Sequence, residues 1–419
     1  MDKLKKKTRR PELDFLRGVA LIIMVVGHPL RADVWVEGVH VALPRLIFNH
    51  YGELFSGLFM FISGINVTNF LASAKRNPQF DATTFYLKSS VWLFALGWTY
   101  NLCVGTALYI DLIQAIAIGT LVTYLLLSWR LPTWGLALFT AVVFALGVHI
   151  VGGDPVTPET IKRLGAMRYF VAFFGPIPWV GFFTFGVVVD RIKNEKWQKA
   201  LIPLGGLVFA LAHLLPPLRG VSPTVHLLKA NARYIVQSIG LVPMLFLLSK
   251  RYYSGVSRIG REIEYWGRES LVFLVFHWFY IFLFSFPEAT LQHRFGDEIA
   301  GWATGFFSLF IMALTVRPIA GLRDRWMRSP KFGARAWTVF IFAMIGWAWM
   351  LKKMMLIAKG QGVPVHDLNI STPTLTPEYF VFFSKTFFAF AAAMTFCFLY
   401  PYLRIHLRKN SMHSSINGS

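Results

Sequence analysis

Leu13 to Pro29 reads LDFLRGVALIIMVVGHP, an apolar run of membrane-spanning length that nevertheless carries Asp14, Arg17 and His28. A helix turns about 100° and rises about 1.5 Å per residue, so Asp14, Arg17, Leu21, Met24 and His28 fall on one face. Arg17 and His28 are then three turns, roughly 16 Å, apart along the axis. Ionisable groups inside a membrane are costly and ordinarily line a functional cavity. The plainer account makes Asp14 and Arg17 an interfacial pair and His28 a satisfied helix-end histidine before Pro29.

The remainder of the chain has a membrane protein's composition. Its 419 residues are 55% hydrophobic and 15% charged, with 40 Phe, 14 Trp and a mean hydropathy of +0.52. Soluble domains carry about a quarter charged residues. A disordered chain, a disulfide scaffold and a multidomain cytosolic enzyme are thereby excluded. Cys103 and Cys397 both lie in apolar runs, which argues against a disulfide framework or a cysteine zinc site. Spans of about 20 apolar residues are predicted near 13–32, 53–73, 85–104, 107–128, 133–151, 169–189, 199–217, 233–249, 269–287, 299–317, 337–357 and 378–402. The expected fold is all-α, a polytopic bundle of about ten to twelve transmembrane helices.

The net charge of +21 comes from basic residues placed between apolar runs, as anchors at an anionic membrane surface are. Most of the 42 Lys and Arg fall in segments on the N-terminal side of the bilayer, so the positive-inside rule predicts cytoplasmic N- and C-termini. The leader MDKLKKKTRR has the charge of a signal peptide, but no small-residue cleavage site follows it. The organisation read from this is a basic leader (1–12), a single transmembrane domain (13–404) and a cytoplasmic tail (405–419).

Depth assignments bring other polar groups towards His28. Glu53 enters the second span from outside, Asn101 closes the third, and Asp111 opens the fourth with Gln114 one turn later. A histidine with a carboxylate nearby has the composition of a general base and its orienter. Interfacial water accounts for Glu53 and Asp111 equally well when each is taken alone. His277, within SLVFLVFHWFYIF, is a candidate second catalytic group, a substrate ligand or a helix-packing hydrogen bond. His40 and His50 flank the entry to the second span, and the outer-loop histidines are spaced too irregularly for a metal site. The chain has no phosphate-binding glycine loop, zinc-binding His-Glu-x-x-His helix or serine nucleophile elbow.

LDFLRGVALIIMVVGH, FMFISGINV (Met60 to Val67 within it), DLIQAIAIG (111–119), PIPWVGFFTFGVVVDR (176–191) and GRESLVFLVFH (267–277) together resemble the transmembrane acyltransferase superfamily. That superfamily includes the acyltransferase-three proteins and the heparan-alpha-glucosaminide N-acetyltransferase type. The resemblance implies acyl transfer, acetyl in the first instance, from cytoplasmic acyl-CoA to a hydroxyl or amine of an extracytoplasmic glycan or amino sugar. Acetyl-CoA is then the acyl donor, no metal is called for, and the bacterial cytoplasmic (inner) membrane is the expected location. The resemblance gives His28 the catalytic role, Arg17 a place at the CoA entrance and His277 a further role at the site. After the second span the acyltransferase-three proteins carry paired arginines, where this chain has Lys75, Arg76 and the later Lys88.

Charge chemistry is compatible with that implication. CoA is polyanionic, and Lys75, Arg76, Lys88, Arg258, Arg261 and Arg268 are available to form a basic inner vestibule through charge-assisted hydrogen bonds. His28 can take the acceptor's proton or accept the acyl group first. A proton-coupled transporter or flippase is the competing class, since buried ionisable groups also suit proton movement. No inverted repeat is visible, and the polar residues gather in the first four spans.

Overall fold

The computed structural model describes residues 10–31, 54–77, 79–104, 110–151, 170, 174–215, 232–255, 257–360 and 378–413. These form thirteen α-helices and, among the described residues, no strand. In chain order they are α1 (Pro11–Arg31), α2 (Leu54–Ala74), α3 (Ala82–Val104), α4 (Leu112–Ser128), α5 (Thr133–Val151), α6 (Pro176–Arg191) and α7 (Glu195–Leu211). There follow α8 (Ala232–Tyr252), α9 (Arg258–Arg268), α10 (Ser270–Phe295), α11 (Asp297–Met327), α12 (Phe332–Gly360) and α13 (Glu378–His413). Five of these are long and apolar enough by length and composition to cross a bilayer, among them α2, α8 and most of α11. In hydrocarbon the helix satisfies every backbone polar group internally, which is why apolar runs of this length take no other form.

Each of the twelve predicted runs holds a helix among its described residues, with ends set by local chemistry. Residues 107–109 lie outside the described set, and α4 starts only at Leu112. There Asp111 accepts from the Leu112 amide at 2.7 Å while the Gln114 side chain accepts from the Asp111 amide at 2.9 Å, a reciprocal cap. α6 begins at Pro176, in the first turn, where a missing N–H costs nothing. The last helix runs through Pro401 to His413, past the expected start of the tail. Between α8 and α10 lies the short polar helix α9, capped by the Ser257 hydroxyl, which accepts from the Gly260 amide at 2.8 Å.

Exposed apolar side chains lie along the outward faces, including Phe306, Phe310 and Leu314 on α11 and Ile341, Phe342 and Ile345 on α12. Lipid is the solvent for such faces. The packed interior is aromatic, with Phe61, Phe182, Phe183, Phe246 and Phe273 fully buried. Several pairs of helices approach closely enough for their backbones to touch, among them α2 with α6 and α1 with α9. A Cβ on Gly64 would run into the carbonyl oxygen of Phe183 on α6, and one on Gly267 into the carbonyl oxygen of Asp14 on α1. Gly64→Ala therefore forces α2 and α6 apart. Overpacking of this kind costs about 1–3 kcal/mol, so a lowered thermal unfolding midpoint in detergent is expected; an unchanged midpoint would contradict the close approach.

Helix neighbours define what the fold encloses. α1 packs on α2, α2 on α4, α4 on α3, α3 on α13, α13 on α10, and α10 back on α1. This closed ring of six helices surrounds the candidate site.

Candidate active site

A cavity of about 500 Å³ lies inside the ring, and all six helices contribute to its wall. Along α2 the lining runs from Phe70 to Phe59, roughly 16 Å of helix axis. One end is cationic, the other apolar. Arg10, Arg17, Arg268, Arg323 and Arg404 line it, whereas Phe59, Leu93, Ile113 and Leu274 mark the deep end. Ser63, Asn66, Asn69, Ser89 and Ser90 supply neutral hydrogen-bonding groups. Ser63 donates to the Phe59 carbonyl at 2.8 Å, so the Ser-Gly pair of α2 divides its work: the hydroxyl faces the cavity wall, and Gly64 admits α6.

Most of these arginines are positioned by carboxylates. Arg10 holds Asp190 of α6 and Glu12 of α1, each at 2.7 Å. Burial alone would lower the Arg10 pKa, but the charge of Asp190 and the hydrogen bonds to Glu12 and Asp190 outweigh it and leave it raised. Arg17 reaches Asp14 one turn back at 3.2 Å and donates to the Gly267 carbonyl at 3.2 Å. That second bond ties α1 to the end of α9, where the chain breaks before α10. At the break, Glu269 is buried and held by Arg323 of α11 at 2.9 Å and by Arg268 at 3.5 Å. Arg323 also spans to Asp324 at 2.7 Å.

Beyond the deep end are two histidines. The rings of His28 and His277 stack with centroids 5.1 Å apart and planes 25° from parallel. His277 is buried, and its Nδ1 is hydrogen-bonded to the carbonyl of Leu274, the same residue that lines the cavity. A carbonyl only accepts, so Nδ1 carries the proton and Nε2 is the basic nitrogen. From Leu274 to His277 is one turn of α10, about 4.5 Å of rise. On α10 the lining thus stops about one helical turn short of His277, and on α1 it stops at Arg17, three turns before His28.

The expected site residues separate into groups. Arg17 and Arg268 line the cavity, and His28 meets His277 across the α1–α10 contact. Asp111 caps α4, and Glu53, His40 and His50 lie outside the described residues. Lys75, Arg76 and Lys88 are exposed, as are Arg258 and Arg261, and the wall draws its further positive charge from Arg10, Arg323 and Arg404. Those three, with Glu269, escape a reading by apolar runs because each lies at the end of such a run or just outside it, where charge is ordinary. A signal did exist. Tyr400 and Arg404 are four residues apart and so share a face, and Glu269 directly precedes a long apolar run.

The family model described as "Heparan-alpha-glucosaminide N-acetyltransferase, catalytic" matches residues 9–214, just under half of the chain. That match supports the resemblance to the heparan-alpha-glucosaminide N-acetyltransferase type of transmembrane acyltransferase. No curated protein and no solved structure matches the chain. The matched region covers α1 to α7 and therefore four of the six ring helices, with Arg10, Arg17 and His28. α10 and α13, which complete the ring and bring His277 and Arg404, follow it in the chain, as does α9 with Arg268. The cavity is built by residues from inside and outside the matched region.

Proposed function

We propose that the protein carries an acyl group, acetyl in the first instance, from cytoplasmic acyl-CoA to a hydroxyl or amine of an extracytoplasmic glycan or amino sugar. The bacterial cytoplasmic membrane is the location that goes with this reading. The observation that carries it is the polarity of the cavity inside the ring, arginine-lined at one end and apolar at the end nearer the His28–His277 pair. A polyanionic carrier on a thin flexible arm suits such a shape: its phosphates meet guanidinium groups, and its thioester travels inward along an increasingly apolar wall.

At the histidines the chemistry is a displacement at the thioester carbon. The acceptor's oxygen or nitrogen forms the new bond to the acyl carbon, the carbon–sulfur bond breaks, and CoA leaves as the thiolate. His28 takes the acceptor's proton as general base, or accepts the acyl group and passes it on. His277, stacked on His28 with Nδ1 engaged by Leu274, holds that ring in place and offers Nε2 as a second basic nitrogen. Arg17 and Arg268 are the donor-side cations of this reading, and the positive-inside rule sets their end of the bundle in the cytoplasm.

The test is one of sides. With protein inserted unidirectionally in liposomes, acetyl-CoA supplied on the arginine side is expected to release CoA thiol there, while the acylated sugar accumulates on the other side. Thiol and product on the same side would defeat transmembrane delivery, and passage of unmodified solute without thiol release would favour a transporter instead.

A further inference from the structure

Arg404 differs from Arg10, Arg17 and Arg323 in the cavity wall. Among the described residues no carboxylate lies within ion-pair distance of it, whereas those three each hold one or two. Its guanidinium instead sits 5.8 Å from the centre of the Phe85 ring. Phe85 is stacked on Phe70 at 5.0 Å with planes 17° apart, and Phe70, Phe85 and Tyr86 all line the same stretch of wall as Arg404. The neighbouring hydrogen-bonding groups are Ser89 and Asn69. Phe85 is itself buried, so the cluster meets the cavity through the parts of Phe70, Phe85 and Tyr86 that line it. A guanidinium unspent on protein carboxylates beside such a lining matches one ligand chemistry well, a phosphate borne next to an aromatic base.

We infer that the Arg404–Phe85–Phe70 wall is a subsite for the phosphorylated adenosine end of the donor, with Arg404 recognising its 3′-phosphate. The inference rests on the acyl-CoA reading above and adds to it a division of labour. Arg17 and Arg268 stand on the α1 and α9 side of the mouth, whereas Arg404 comes from α13 beside α3. The two sides are thus suited to separate phosphate groups of one ligand. The subsite also lies partly outside the matched region, because α13 follows residue 214. A bilayer phosphate is the other source of the same chemistry, and the test separates the two.

Wild-type protein, Arg404→Ala and Arg404→Lys are reconstituted in nanodiscs of zwitterionic phosphatidylcholine and titrated calorimetrically with CoA and with 3′-dephospho-CoA. Wild type is expected to prefer CoA by roughly ten- to hundredfold, the worth of a hydrogen bond to a charged group. Arg404→Ala should lose that preference while binding 3′-dephospho-CoA as wild type does, and Arg404→Lys should retain part of it. A preference for CoA that survives in Arg404→Ala overturns the inference and assigns Arg404 to lipid phosphates. Equal weakening towards both ligands overturns it also, since the effect would then be general to the mouth. Wild-type protein that binds neither ligand defeats the acyl-CoA reading itself, and the subsite with it.

Discussion

His28→Ala is expected to lower acyl-transfer turnover by about 10²–10⁴-fold, the usual worth of a positioned acid–base group, while acetyl-CoA binding persists. The two readouts separate because His28 lies beyond the cavity's deep end, whereas the cationic groups that would bind the donor are near the opposite end. His28→Asn keeps a planar polar side chain without basicity and should be nearly as inactive. His277→Phe is the informative companion, since it preserves an aromatic partner for His28 and removes Nε2. Turnover retained in His277→Phe but lost in His28→Ala would restrict His277 to positioning. Turnover retained in a well-folded His28→Ala would remove His28 from the mechanism.

Arg323→Ala is expected to be the most damaging substitution for stability. The Arg323 and Glu269 side chains are 13% and 11% exposed, and the carboxylate's other cation, Arg268, is 41% exposed and 0.6 Å more distant. Truncating one member of a buried pair leaves the other charge uncompensated and costs about 3–5 kcal/mol. The damage falls on the α9–α10 break, where Arg17 also binds through the Gly267 carbonyl. A strongly lowered unfolding midpoint in Arg323→Ala, substantially recovered in the double variant Arg323→Ala/Glu269→Gln, is the expected pattern, read by thermal unfolding in detergent. If the double variant is no more stable than the single one, the uncompensated carboxylate is not the cause.

The positioning of the site shows which features were legible early and which were not. The Arg17–His28 face of α1 could be read directly from helical periodicity, because both residues lie within one uninterrupted helix. His277 was visible as a polar residue in an apolar run, but its stacking on His28 joins residues 249 positions apart and needed α1 and α10 to be packed together. The vestibule was the harder case. Lys75, Arg76 and Lys88 have the right charge and the right end of their helices, yet the cavity's lining draws instead on Arg323 and Arg404, from the last third of the chain. Rotation of a helix about its own axis decides which of its end charges faces inward, and only the neighbouring helices set that rotation.

The amino-acid sequence by itself determined the all-helical membrane architecture, because burial in lipid leaves an apolar run of twenty residues one way to satisfy its backbone. It likewise determined the spacing of Arg17 and His28, a property of a single helix. The tertiary structure decided the rest: that six helices taken from both ends of the chain close into a ring, that Glu269 gathers Arg268 and Arg323 at a helix break, and that His277 meets His28. Those juxtapositions depend on backbone contact at Gly64 and Gly267 and on side-chain packing between helices remote in sequence. Periodicity within one helix carries no record of them.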